Sequence, residues 1–318
     1  MTDTQTSFNR RHFLAAGAAS VAGVSVGHAI AAESAAAETA RIVRPPEGKR
    51  ILLSCKLGMI PREAGGKKLS LAERLTLAAE AGLDGVDLDQ AAEFTPEQAR
   101  EAVCQSGVFV HNAINHAHWS QRLTSAKEEE RAQGRANIEH CLRVSHGAGG
   151  SGVLIVVGSG DDGPAEEIEE RCRQEIKKLI PLAASLGQPI LVENVWATFL
   201  IEPLTMARYI DELKSPFVQA YFDVGNVMRW GVPQQWIEVL GKRIGKIHVK
   251  EYSLKTAMSQ GMGKGFDFPM GEGDIQWNRV REELGKIGFC GWATAEVRGG
   301  DRQRLAEISG EMDRILGR

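Results

Sequence analysis

Eight short β-branched runs, each followed by a longer helical pattern, limit what this chain can fold into more than any other feature. They are ILLSC (51–55), GVDLD (85–89), VFVHNA (108–113), GVLIVV (152–157), PILVE (189–193), VQAYFD (218–223), KIHVK (246–250) and GWATAE (291–296). Between them lie amphipathic stretches such as LSLAERLTLAAEAG and PAEEIEERCRQEIKKLIPLAASLG. The second carries Ile168, Cys172, Ile176, Leu179 and Ile180 near helical spacing. Gly82, Gly107, Gly187 and Gly288 stand where such helices should stop. Strands that alternate with helices pair in parallel. Eight such units, ending in the helix DRQRLAEISGEMDRILG, predict an α/β fold, a (β/α)8 TIM barrel. An open doubly wound sheet is the alternative, but no G-x-G-x-x-G follows the first strand.

The alternation begins only near Lys49. Upstream, SFNRRHFL (7–14) leads into a Gly-, Ala-, Ser- and Val-rich stretch and then Ala29-Ile30-Ala31. A basic start, a modest apolar run and a small-residue cleavage pattern predict that residues 1–31 are an export signal. Arg10 and Arg11, followed by Phe13 and Leu14, match the twin-arginine type. That type implies the twin-arginine export machinery as a partner and a periplasmic location. Left uncleaved, the segment would tether the chain to a membrane; after cleavage no stable membrane insertion is expected. No Cys stands near the cleavage point, which argues against a lipid anchor.

Residues 32–48 read as a linker and residues 49–318 as a single barrel domain, of ordinary size for this architecture. The net charge is −3. Without residues 1–31, which hold Arg10, Arg11 and Asp3, it is about −4, so no nucleic-acid partner is expected. Cys55, Cys104, Cys141, Cys172 and Cys290 are odd in number and lack C-x-x-C spacing, so they read as buried thiols. A homo-oligomer is compatible with the sequence.

A barrel places its chemistry at the C-terminal mouth of its strands. The fifth run ends in Glu193 and the sixth in Asp223; the seventh carries His248 and the eighth ends in Glu296. A carboxylate closing a buried run is costly unless it is paired or binds a metal. Alone, each of these residues reads equally as a salt-bridge partner, a loop cap or a hydrogen-bonded core histidine. Together, on successive strands, three carboxylates and one imidazole suit a divalent ion such as Mn²⁺, Mg²⁺ or Co²⁺.

The blocks LVENVW, YFDVGN, IHVKEY and PMGEGDIQW, with Glu296, resemble the xylose-isomerase-like barrel superfamily of sugar and sugar-phosphate isomerases and epimerases. Within it the likeness points to ketose 3-epimerases such as L-ribulose-5-phosphate 3-epimerase and D-tagatose 3-epimerase. It covers the mature chain, is most specific from Glu193 to Glu296, and is loose before residue 110. The resemblance implies one divalent ion, Mn²⁺ first, held by Glu193, Asp223, His248 and Glu296, with Glu193 and Glu296 also moving protons. The superfamily's trinuclear-zinc endonucleases need a second His where this chain has Asn226. GFDFPMGEGD offers Asp267 and Asp274 but no His, so DNA repair is disfavoured.

The implied chemistry is removal of a proton beside a ketose carbonyl, an enediolate, and return of a proton to either face or to the neighbouring carbon. Other residues complete the expected pocket. His118 and Trp119 would form a wall for a sugar, and Asn226 would bond a ligand or substrate oxygen. Lys250 reads as a substrate or proton-transfer group, or equally as a salt bridge to a carboxylate. Arg298 reads as an anchor for a polar substrate end, or equally as an exposed cap. Trp196 and Phe199 would close the rim, with residues 120–134 and 261–273 as lids. Export favours an unphosphorylated ketose, keto-glycoside or inosose as the substrate. A lyase or dehydratase of such keto-sugars on the same metal site is the alternative, and a silent carbohydrate-binding barrel the third reading.

Overall fold

The computed structural model describes residues 50–317, so the signal (1–31) and linker (32–48) readings lie outside the described residues. Eight parallel strands close into a barrel. They are β1 (Ile51–Lys56), β2 (Gly85–Leu88), β3 (Phe109–Ile114), β4 (Val153–Ile155), β5 (Ile190–Glu193), β6 (Val218–Asp223), β7 (Ile244–Val249) and β8 (Gly291–Ala295). Each pairs with its neighbour in chain order, and β8 returns to β1 with Thr294 beside Ser54. The main helices are α1 (Leu71–Glu80), α2 (Pro96–Ser106), α3 (Glu128–Gly147), α4 (Ala165–Leu186), α5 (Pro203–Glu212), α6 (Pro233–Leu240), α7 (Trp277–Lys286) and α8 (Arg302–Leu316).

Local chemistry sets the boundaries. α1 starts at a capping box in which Ser70 Oγ accepts from Glu73 N and the Glu73 carboxylate accepts from Ser70 N. Thr95 and Gln98 repeat it at α2, with Pro96 in the first turn, and Gly107 stops that helix at φ 70°. A two-strand hairpin, Glu63–Ala64 against Lys67–Lys68, is added after β1. Its turn is Gly65-Gly66, at φ 58° and 75°, as a tight hairpin requires. The stretch 120–134 is loop only up to Lys127, because α3 begins at Glu128, where three glutamates fill the first turn. Three of the cysteines are buried, but Cys104 is half-buried and Cys290, just before β8, is exposed; all five are free thiols. No described helix is long and apolar enough to cross a membrane.

Apolar side chains fill the space between strands and helices. The barrel interior differs. Ile114, Leu154, Leu191 and Tyr221 form a small apolar cluster of their own, and beside it lies a buried polar floor. Tyr221 Oη donates to Asp87 Oδ2 at 2.8 Å and lies 2.7 Å from Thr294 Oγ1. Ser54 Oγ stands 2.7 Å from Thr294 Oγ1 and 2.9 Å from His111 Nε2. Asn112 Nδ2 donates to Asp87 Oδ1 at 2.9 Å, and Lys246 Nζ donates to His111 O and Asn112 Oδ1. Burial pulls the Lys246 ammonium down to about 7, with Asp87 opposing. The buried polar groups are thus tied to one another.

Candidate metal centre

β5, β6, β7 and β8 deliver Glu193, Asp223, His248 and Glu296 to one point at the mouth. One ligand atom from each lies within 4.8 Å of the others. The register explains this: Asp223 pairs directly with His248, and Glu193 pairs with Tyr221, two residues before Asp223. Glu296 lies just past β8 but still donates its N–H to Val249 O at 2.9 Å, which holds it at the same level.

Asp223 is fixed on all sides but one. Its N–H donates to Asn194 Oδ1 at 2.8 Å, and its carbonyl accepts from Asn194 Nδ2 at 2.9 Å. Its Oδ1 accepts from Asn226 N at 2.7 Å, capping the short helix Val224–Val227. That leaves the buried Oδ2 turned toward the cluster, where its near neighbours are charged side chains. His248 Nδ1 lies 2.8 Å from Glu193 Oε1, 3.5 Å from Glu296 Oε2 and 3.7 Å from Asp223 Oδ2. Two lysines enter the same space. Lys250 Nζ stands 2.7 Å from Asp223 Oδ2 and 2.6 Å from Glu296 Oε2, and Lys56 Nζ contacts Glu296 Oε1.

These neighbours pull the two glutamates apart. Burial raises the Glu193 carboxyl against the opposing pull of His248. Burial also acts upward on Glu296, but Lys250, Lys56 and His248 outweigh it and hold that carboxyl well below its usual range. Burial likewise opposes charge on His248, yet Glu296, Glu193 and the hydrogen bonds to Asp223 and Glu193 win and push it up to about 9.

The folded imidazole thus keeps its proton above its ordinary value of 6.5. Its contribution to the metal-free fold is fully present below about 6.5 and is lost as pH rises through about 9. Thermal unfolding in chelator should therefore show a Tm that falls from about pH 6 to about pH 10, with the fall flattened in His248→Gln. Equal falls in both proteins would refute this.

A cavity of about 440 Å³ opens over the cluster, within the range of small-molecule sites. His118, Trp119, Trp196, Asn226 and Lys250 line it, together with Glu193 and Glu296. Burial lowers His118 to about 3, so it is neutral there, and Trp119 stands against its edge with half its surface exposed. Trp196 stacks on Phe266 and donates its indole N–H to Asn226 O. The Asn226 amide is engaged with Asn194 O at 2.9 Å. Phe199 packs on Tyr209 instead of the rim, and Arg298 is exposed and outside the lining. Lys56 and Asp89 line the cavity without having been anticipated, and Phe266, from the stretch 261–273 read as a lid, lines it as well. Lys56 directly follows the first strand run, and Asp89 ends the second.

A larger surface groove, about 650 Å³, lies between α3 and α4. It is lined by charged side chains, and its buried Glu175 is tied to Arg131, Arg135 and Lys178, so it is a salt-bridged surface remote from the cluster.

A family model described as xylose isomerase-like TIM barrel matches residues 75–315. The chain belongs to the xylose isomerase-like TIM barrel family. Within that family it is similar to an L-ribulose-5-phosphate 3-epimerase of Salmonella heidelberg, at 29% identity over 69% of this chain and 79% of the relative. Two solved members of the same architecture superpose over 84% of the chain at 16% identity. They are a 3-keto-D-glucoside 4-epimerase from E. coli (TM-score 0.67, all of that chain) and a D-allulose 3-epimerase from Methylomonas sp. (TM-score 0.68, 99% of that chain). At that identity they speak for the xylose isomerase-like fold alone.

Proposed function

We propose that this chain is a divalent-metal-dependent sugar epimerase or isomerase acting on a ketose or keto-sugar. The enzyme class is the one its curated relatives support, since those at 27–29% identity include L-ribulose-5-phosphate 3-epimerases by name. The observation that carries the metal reading is the buried Asp223 Oδ2. It is ion-paired with Lys250 Nζ at 2.7 Å, and it faces two more carboxylates and an imidazole whose ligand atoms all lie within 4.8 Å of one another. Three oxygens and one nitrogen at this spacing fit Mn²⁺, with Mg²⁺ and Co²⁺ as alternatives. A bound ion would supply Lewis-acid polarisation of the sugar carbonyl and its neighbouring hydroxyl.

The protein's own groups do the rest. Glu193 and Glu296 reach the site from β5 and β8, and their environments push their protonation in opposite directions. Two carboxylates reaching one point from different strands suit removal and return of a proton at one carbon. Trp119, Trp196 and Phe266 give a sugar apolar faces to pack against, and Lys250 and Asn226 stand within the wall to meet its oxygens.

Metal-loaded protein incubated with ketoses, inososes and 3-keto-glycosides in deuterium oxide, followed by NMR, tests this reading. An epimerase places deuterium at the inverted carbon of an otherwise intact sugar. An unsaturated product with loss of water or an aglycone would mean a lyase. Binding without exchange would mean a carbohydrate-binding barrel. We also propose export through a twin-arginine signal at residues 1–31. Replacing Arg10 and Arg11 with Lys should retain the chain in the cytoplasm, and unchanged export would end that reading.

A further inference from the structure

Lys250 holds a position that a metal site does not by itself require. Its side chain runs inward from the end of β7, and its ammonium touches Asp223 Oδ2 at 2.7 Å and Glu296 Oε2 at 2.6 Å. These are the same oxygens that face His248 Nδ1 across the cluster. An ion bonded to them at about 2.1 Å would stand within about 5 Å of the ammonium, and cations that close repel.

The backbone makes room for this lysine. A Cβ on Gly225 would stand 2.5 Å from Lys250 Cγ and 3.3 Å from its Cδ and Cε. Gly225 is not among the glycines of positive φ, so its lack of a side chain serves the lysine stem and not a turn. In the same position Lys250 Nζ also lies over the Phe266 ring, 4.9 Å from its centroid at the cavity wall.

We propose that Lys250 is the resident cation of this site. It neutralises Asp223 and Glu296 in the metal-free chain and competes with a divalent ion for them. The proposal rests on the metal reading above. Removing the ammonium leaves the buried Asp223 carboxylate without its lysine and the half-buried Glu296 with Lys56 alone, which weakens the metal-free fold and strengthens the pull on an ion.

Calorimetric titration of the chelator-stripped full chain with Mn²⁺ tests it. Lys250→Met should bind Mn²⁺ at least tenfold more tightly than wild type and show a larger Mn²⁺-induced rise in Tm. Gly225→Ala, which displaces the lysine stem but keeps its charge, should shift both readouts in the same direction. Unchanged or weaker Mn²⁺ binding in Lys250→Met overturns the competitor role while the metal reading stands. If Lys250→Met does not fold without metal, Gly225→Ala decides alone, and unchanged affinity there is the overturning result. Absence of Mn²⁺ binding in wild type and both variants removes the metal reading and this proposal together.

Discussion

Glu193→Gln and Glu296→Gln should each lower turnover at least about a hundredfold, the scale of a missing general base, while the barrel stays folded. Glutamine keeps the size of the side chain and one acceptor oxygen, so a ligand contact survives where the proton carrier does not. The two variants should differ in a second respect. Glu193 contacts His248, and its substitution removes one of the charges that raise the imidazole. Glu296 is the meeting point of Lys56 and Lys250, and its substitution leaves Lys56 without its partner. Glu296→Gln should therefore lose more thermal stability than Glu193→Gln in chelator. Deuterium exchange separates their roles: the variant that still exchanges the substrate proton without completing the reaction retains the carboxylate that acts first. Full turnover in both would overturn the two-carboxylate mechanism even with an ion in place.

Wild-type protein should carry about one divalent ion per chain, as one four-residue site allows, and Asp223→Asn or His248→Ala should lose it. Asp223→Asn is the sharper choice. An alanine there would also remove the cap of the helix Val224–Val227, at about 0.5–2 kcal/mol, and confuse folding with binding. Asparagine keeps an oxygen for Asn226 N and replaces only the charged Oδ2 that faces the cluster. We expect affinity for Mn²⁺ to fall at least about a hundredfold, beyond the effect of residues that merely orient ligands, and activity to fall with it. Metal analysis after dialysis measures the first and the NMR assay the second. Full occupancy in both variants would end the four-residue assignment.

The barrel and the convergence of Glu193, Asp223, His248 and Glu296 were legible because strand period and barrel topology together fix where a strand-end side chain points. That logic stops where the strand stops. Glu296 is still tied to Val249 O by its N–H, so its placement followed. Arg298 lies beyond β8, where alternation no longer governs direction, and it is exposed outside the cavity. Lys56 and Asp89 escaped notice for the opposite reason. Each sits at the end of an early strand run, where the family likeness is loose, and only the closed mouth shows them leaning in. The barrel floor was not legible at all. Ser54, Asp87, His111 and Thr294 are polar residues within largely apolar runs, and nothing local says that they meet.

That floor bears on how the chain is assembled. Ser54 and Thr294 are 240 positions apart, yet they hydrogen-bond to each other, and Tyr221 and His111 converge on the same pair. A chain made from its N-terminus onward displays Ser54, Asp87 and His111 long before Thr294 exists. Until β8 docks, Ser54 and Tyr221 lack Thr294 as a partner, so a seven-strand intermediate leaves a gap in this network that water must fill. A slip of one residue in any contributing strand turns its polar side chain out of the barrel and leaves the others unpaired. Arrival of the last strand therefore dries the interior and verifies the alignment of strands laid down earlier in one event. The barrel should consequently refold slowly, as sequence-distant contacts dictate, and a chain ending before Gly291 should accumulate as a hydrated, protease-sensitive species, not as a smaller stable barrel.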